Sequence, residues 1–395
     1  VIAAHALAAW AFAAAAAFLL LAAHPFVTYP LSLALLRRAR PRPLEVQPVA
    51  APPSVAVCVC AYNEAGVIGD RVRNILSLRP SCPGLQALVY VDGASDSTAD
   101  ILRGFGAEIT AVISSQRLGK TYGMNTLVGL TQADIIVFSD ANVSFAPDAI
   151  TRLVAPFADP AVGCVCGHLR YLAADGHTAA TGSLYWRLEE HIKALESATG
   201  SVMGADGSIF AIRRALHVPP PANLIDDMYV SLAILCGGAR IVRAADAVAY
   251  EASVSTSAEE FRRKIRIACQ AFNVHRALAP RLARLPAVDL YKYVSHKVLR
   301  WLSIFSLAAS FACAAAGVAA WGGAAWLAGF LLLAGVAGGV LGAARRGPAA
   351  RLREVLLALV ATGLGVIRSL RGEKFQTWTP PASARAAADL TPEPV

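Results

Sequence analysis

At 395 residues the chain is long enough for one large domain or two ordinary ones. Hydrophobic residues make up 56%, charged residues only 16%, and mean hydropathy is +0.51, which excludes an ordinary soluble protein and puts membrane segments first. The formal net charge of +9 suits phosphorylated substrates or anionic lipid, and beside the apolar excess no nucleic-acid partner is expected.

Residues 1–36 are almost uncharged and long enough to cross ~30 Å of hydrocarbon, so they predict an N-terminal transmembrane segment, too long for a cleavable signal sequence. Arg37, Arg38, Arg40 and Arg42 follow at once, and residues 37–53 read as a basic, Pro-rich linker on the cytoplasmic side. From residue 54 to 280 short apolar runs alternate with amphipathic stretches: VAVCVCAY, ALVYVD, ITAVIS, DIIVFSD and VGCVCGHLRY, each followed by a helix-like piece. This alternation predicts an α/β domain with a mostly parallel sheet. After Asp206, SIFAIRR and RIVRAADAVAY read as further strands around a helix in IDDMYVSLAILC. Cys58 with Cys60, and Cys164 with Cys166, share a strand face and read as core positions, with no zinc-like cluster beside them.

Residues 281–298, with basic and aromatic side chains interleaved, read as an interfacial amphipathic helix. The C-terminal membrane region, 299–370, opens with two spans of about 22 residues joined by a Gly-containing turn. Arg345, Arg346, Arg351 and Arg353 return the chain to the cytoplasm. The run 355–367 reads as a re-entrant or interfacial segment in preference to a full span, and 371–395 as a cytoplasmic tail. Together these features predict a multi-pass protein of the cell (inner or plasma) membrane with its catalytic domain in the cytoplasm.

In an open α/β sheet, ligands bind at the carboxyl ends of the strands. The first predicted strand ends at Tyr62-Asn63-Glu64, the second at Asp92-Gly93, the fourth at Asp140. One such acid is an ordinary turn or cap residue; three in register argue for a site. Asp92 is placed to accept hydrogen bonds from a nucleoside, and Asp96 to cap the next helix. Lys120 follows Gly119 at a predicted helix start, where it can neutralise a diphosphate, and Asn125 lies further along the same helix. Asp140 can hold Mg2+ or Mn2+ through an oxygen, with Asn142 offering a neutral carbonyl where a second acid would complete an Asp-x-Asp pair; an acid at 142 is expected to tighten metal binding. Asp226-Asp227 opens a helix; as neighbouring carboxylates they are either dipole complements or a general base with a raised pKa.

Taken in order, AYNE (61–64), DGASDST (92–98), GK and TYGMN (119–125), SDAN (139–142), GADGSIFAIRR (204–214) and IDD (225–227) resemble the motifs of family-2 glycosyltransferases with a GT-A domain. The nearest likeness is to the membrane-embedded branch of cellulose, chitin, hyaluronan and poly-N-acetylglucosamine synthases, and SHKVLRWL (295–302) resembles that branch too. The resemblance implies that Tyr62, Glu64 and Asp92 contact the nucleoside, with Asn63 beside them, and that Lys120 and Asn125 serve the nucleotide. It implies Asp140 as the metal acid, Asp227 as the catalytic base beside Asp226, and Gly204, Ala205, Asp206 and Gly207 as an acceptor loop. The Gln-x-x-Arg-Trp motif corresponds to Arg263, Arg266 and Ile267: Arg266 keeps the charge that stabilises a leaving diphosphate, Arg263 replaces the Gln on the acceptor side, and Ile267 replaces the stacking Trp.

The resulting expectation is an inverting transfer from a nucleotide-sugar, first of all a UDP-sugar, to a membrane-associated acceptor in the synthesis of an extracellular or cell-envelope polysaccharide. Expected partners are that donor, a glycan or lipid-linked acceptor, the bilayer, and accessory membrane or export subunits. Two alternatives stand: a non-processive single-sugar transferase to a lipid or polyprenyl phosphate, and a non-catalytic nucleotide-binding membrane subunit.

Overall fold

The apolar run VAVCVCA forms β1 (Val55–Ala61), buried along its whole length. In the computed structural model, which describes residues 2–45, 47–48, 51–172, 184–252, 257–344 and 347–377, β1 pairs in parallel with β2 (Gln86–Asp92) and β4 (Ile135–Asp140). β3 (Thr110–Ser114) extends one edge in parallel. β1, β2 and β4 read as unbroken apolar runs because helices cover both faces, whereas the edge strand β3 is largely exposed.

Past β4 the sheet becomes mixed. β7 (Ile209–Arg213) runs antiparallel to β4, and β6 (Val162–Leu172) antiparallel to β7. β8 (Arg240–Ala252) runs parallel to β6, and β5 (Val143–Phe145) closes the far edge antiparallel to β8. The eight strands lie in the order β3-β2-β1-β4-β7-β6-β8-β5. On one face α3 (Ile68–Ser77), α4 (Thr98–Arg103) and α6 (Ala149–Val154) supply Ile68, Val72, Leu102 and Leu153 to the core. On the other, α5 (Lys120–Leu130), α8 (Asp226–Cys236) and α9 (Ser257–Leu282) supply Met124, Leu127, Leu232 and Val274. Cys58, Cys60, Cys164 and Cys166 are free thiols in this second core.

The N-terminal apolar stretch forms two helices. α1 (Ile2–Ala23) ends before a turn, and α2 (Thr28–Ala39) docks Tyr29 and Leu33 on Ile192 and Leu195 of α7 (Leu184–Ala198). α1 instead lies antiparallel along α11 (Leu299–Ala343): Ser310 Oγ donates to the Ala15 carbonyl at 2.8 Å, and Ser303 Oγ to that of Ala22 at 3.3 Å. Ala8, Ala15 and Ala22 form the buried stripe, small residues at seven-residue spacing that let the backbones approach.

α11 reverses at Gly323, whose φ of 75° only glycine adopts without strain. The rings of Phe311 and Phe330 consequently stack with centroids 5.3 Å apart, whereas a straight helix would hold them about 28 Å apart. The helix therefore runs out and back on itself. Among the described residues, Ile2–Ala23 and Ala287–Ala343 are long and apolar enough to cross a membrane. The run 355–367 lies within one unbroken helix, α12 (Gly347–Leu370), whose Gly363 abuts Ile304 of α11 and whose Gly365 abuts Ala268 of α9. Arg345, Arg346 and the tail from 378 lie outside the described residues.

The stretch 281–298 is not one amphipathic helix. It contains the end of α9, a turn at Pro286, α10 (Ala287–Tyr293) and a π-helical segment, Val294–Val298, that runs into α11. Lys292, Ser295 and His296 within it are buried against protein. His296 is buried between Glu196 (Nδ1 to Oε1, 2.7 Å) and Glu189 (Nε2 to Oε1, 3.0 Å), and Tyr29 Oη donates to Glu196 at 2.5 Å. Burial opposes the charge of Glu189, but Arg300 and His296 hold its pKa well below the usual carboxylate range. This buried network fixes the apolar helices to α7 and hence to the sheet.

Candidate active site

Because β1, β2 and β4 are parallel, their carboxyl ends share one edge, and the sequence places an acid or amide at each. Asn63 just past β1 has φ of 52°, a backbone state that asparagine tolerates; its Oδ1 accepts the Ser95 N–H at 2.7 Å. The Glu64 N–H donates to Thr98 Oγ1 at 2.9 Å, and Asp96 accepts both Thr98 N–H at 3.0 Å and Ala65 N–H at 3.1 Å. Asp96 thus meets the N–H of Thr98, the first residue of α4, from one position before the N-cap Ser97, and ties the ends of β1 and β2 together. Tyr62 carries the Arg117 guanidinium 3.7 Å over its ring.

Asp92 departs from expectation. It is fully buried, and its carboxylate accepts the N–H of Leu118 at 2.6 Å and of Gly119 at 3.0 Å. It positions the loop that delivers Lys120 and is not exposed to a nucleoside. Gly119 starts α5 with φ of 96°, and a Cβ there would stand 2.2 Å from the Gln376 carbonyl oxygen. The segment after α12 reaches this rim: Gln376 Nε2 donates to the Leu118 carbonyl at 3.0 Å, and Gln270 Nε2 of α9 donates to that of Phe375 at 3.2 Å. Gly119→Ala is therefore expected to destabilise the fold by about 1–2 kcal/mol from the left-handed backbone alone, and by more from the displaced carbonyl, which thermal unfolding checks.

Lys120 lies between carboxylates from two further elements. Its Nζ donates to Asp140 Oδ1 at 2.7 Å and stands 3.7 Å from Asp226 Oδ2. Burial works against its charge, but Asp140, Asp226 and Asp227 outweigh that and hold the ammonium well above the usual lysine value. Asp226 and Asp227 occupy the first turn of α8, where the helix dipole favours anions. Asp227 accepts the Met228 N–H at 2.5 Å; burial first and the Asp226 charge second raise its pKa to about 7, while Lys120 pulls the other way. The loop Gly204–Gly207 covers this pair so closely that a Cβ on Gly207 would stand 2.8 Å from Asp227 Oδ2. Within the loop Ala205 N–H donates to Ser231 Oγ at 3.0 Å, and Asp206 pairs with the buried Lys193 of α7.

Arg266 approaches from α9, its Nη1 donating to Gln270 Oε1 at 3.0 Å, and lies in the field of Asp140 and Asp227. Arg263, 3.8 Å from Glu260, lies on the same helix, and Ile267 is 37% exposed, clear of the cluster. Asn125 also stands apart, donating to the Pro220 carbonyl at 2.9 Å, so it braces a loop rather than joining Lys120.

Asp140 has a side chain 35% exposed, with Ser208 Oγ 3.5 Å from its Oδ2. This all-oxygen donor set, with Asn142 nearby, fits a hard divalent cation that takes its other ligands from diphosphate and water. Sequence reasoning missed Ser208, Lys193, Glu251 and the buried Arg71, whose guanidinium stacks 4.0 Å from the Phe145 ring. The contacts that bring them to the site, Ser208 to Asp140, Lys193 to Asp206, Glu251 to Asn142 and Arg71 to Phe145, join separate elements, so no local pattern marks them.

A half-parallel, half-mixed sheet with a carboxylate-lined edge and a helix-borne acid pair defines a GT-A glycosyltransferase fold. The sequence matches the family described as "Glycosyltransferase like family 2" over residues 52–270, more than half of the chain, and the protein belongs to that family of enzymes. Its fold is similar to that of the mannosyltransferase PcManGT from Pyrobaculum calidifontis, solved with GDP-Man and Mn2+, at a TM-score of 0.72 and 23% identity over 92% of this chain and 99% of that one. An N-acetylglucosaminyltransferase of Rhizobium leguminosarum bv. viciae is 25% identical over 270 residues, 63% of this chain and 61% of that protein. A β-monoglucosyldiacylglycerol synthase of Trichormus variabilis is 30% identical over 132 residues, 32% of this chain and 28% of that protein. The chain thus spans about three-fifths of the rhizobial relative and under a third of the cyanobacterial one.

Proposed function

We propose that this family-2 glycosyltransferase is an inverting enzyme that moves a sugar from a nucleotide-sugar, in the first place a UDP-sugar, to an acceptor presented at a membrane. The observation that carries the reading is Asp227: a carboxylate with a pKa raised to about 7, next to a Lys120–Asp140 pair and under the Gly204–Gly207 loop. Such a group is basic enough to take a proton from an acceptor hydroxyl, which must come within ~3 Å of it. The acceptor oxygen then attacks the anomeric carbon as the bond to the diphosphate breaks. Lys120 and Arg266 offset the charge that builds on the departing diphosphate. Tyr62, Asn63 and Glu64 border the nucleoside end, and Asp92 holds the Leu118–Gly119 loop against it. A divalent cation, Mg2+ or Mn2+, would be held by Asp140 with Asn142 and Ser208 alongside, and supplies charge neutralisation at the diphosphate.

Residues 54–280 form the catalytic unit in this reading, with α1 and the α11 hairpin in the cell membrane. Arg37 and Arg38 in the last turn of α2 favour a cytoplasmic position for that unit. The names of the N-acetylglucosaminyltransferase relatives support N-acetylglucosamine as the sugar moved, and the resemblance of the sequence motifs to polysaccharide synthases supports its use in an envelope or extracellular polysaccharide. Exposed Ile267, where a stacking Trp would hold a growing chain, favours a second reading: addition of a single sugar to a lipid, as the glucosyldiacylglycerol relatives are named for.

The test is nucleotide release by the purified full chain, with UDP- and GDP-sugars and with or without Mn2+, followed by sizing of the product. Release from one donor, dependent on Mn2+, is expected. Its kcat/KM is expected to rise with pH through an apparent pKa near 7, because the base works only when ionised. A profile flat from pH 5 to 8 would remove Asp227 as the base.

A further inference from the structure

Where a second metal acid would stand, the chain has Asn142. Its side chain is not idle: Nδ2 donates to Glu251 Oε1 at 3.0 Å. Glu251 comes from β8, directly opposite Val143 of β5, so the strand pairing that closes the sheet edge brings it beside the end of β4. Its other oxygen, Oε2, is buried and has no hydrogen-bond partner among the described residues. A buried carboxylate oxygen without a donor costs free energy unless a cation or a ligand hydrogen meets it.

Two positive groups lie near it, and neither bonds to this oxygen. Arg263 is the main counter-charge to Glu251 through space, but its ion pair within 4 Å is with Glu260, at 3.8 Å. Lys120 is committed to Asp140 and Asp226. Asp140 ends β4 two residues before Asn142, so the Asn142 side chain ties Glu251 to the same strand end as Asp140. Two anions held together, one with an open oxygen, form an incomplete pair for a hard cation.

We infer that Glu251 is the second carboxylate of the divalent-cation site, supplying from β8 the charge that Asn142 lacks, with the Asn142 amide orienting it. This rests on the reading of Asp140 as the metal acid. It also revises the sequence-based expectation for position 142, since the missing acid is replaced from another strand.

The experiment titrates Mn2+ into the full chain in detergent, with UDP and in parallel with GDP, and reads bound Mn2+ by electron paramagnetic resonance. Asp140→Asn is expected to abolish binding, and Glu251→Gln to weaken it by at least about tenfold. Glu251→Asp, which keeps the charge, is expected to retain most of the affinity, and stands in for the charge test should the Gln variant fold poorly. Wild-type affinity in folded Glu251→Gln, or an Asp variant as weak as Asp140→Asn, overturns the role of Glu251 while leaving Asp140 in place. Unchanged Mn2+ binding in Asp140→Asn overturns the metal reading and this inference together.

Discussion

Asp227→Asn is expected to lower kcat by about 10²–10⁴-fold, the usual contribution of a positioned general base, while UDP or GDP binding stays within a small factor of wild type. The amide keeps the shape and can still accept the Met228 N–H, so the start of α8 is preserved. What it loses is the proton acceptor under the Gly204–Gly207 loop. Nucleotide binding is expected to be spared because the substitution leaves the Lys120–Asp140 pair in place. Calorimetric titration of nucleotide beside a turnover assay separates the two, and full turnover in the Asn variant would end the case for Asp227.

Lys120→Met is expected to lower kcat/KM by about 10²-fold through loss of charge stabilisation at the leaving diphosphate. It should also change the pH profile. Lys120 lowers the Asp227 pKa against burial and Asp226, so its removal lets that pKa rise, and the acid limb of kcat/KM moves to higher pH. A drop in rate with an unmoved limb would mean that Lys120 acts on the donor alone. The combined readout matters because a purely structural role would lower rate and melting temperature without shifting the profile.

A buried bridge links α7 to the start of α11. Lys193 of α7 holds Asp206 in the loop above Asp227, while Glu189 and Glu196 of the same helix hold His296 and Arg300. One helix, α7, therefore braces both the Gly204–Gly207 loop and the start of α11.

Much of this was legible in the sequence. Apolar runs of five to seven residues ending on Asn63-Glu64, Asp92 and Asp140 specify parallel strands whose ends share an edge, because strand period and crossover handedness leave few alternatives. The Asp226-Asp227 pair was readable for a similar local reason, because helix starts favour acids, and Lys120 because a cation at a helix start, where the dipole disfavours it, calls for an anionic partner. The hairpin was readable because hydropathy and one glycine decide it. Tertiary structure alone decided the rest. Whether Asp92 meets a nucleoside or a backbone loop depends on the path of residues 117–119. Whether basic residues 292–300 face lipid headgroups or buried glutamates depends on where α7 packs. Glu251 is 109 residues from Asn142, and only the β5–β8 pairing brings their side chains to 3.0 Å. Local sequence determines backbone conformation and face; the partner of a buried charge is set by long-range packing, which no short window of sequence contains.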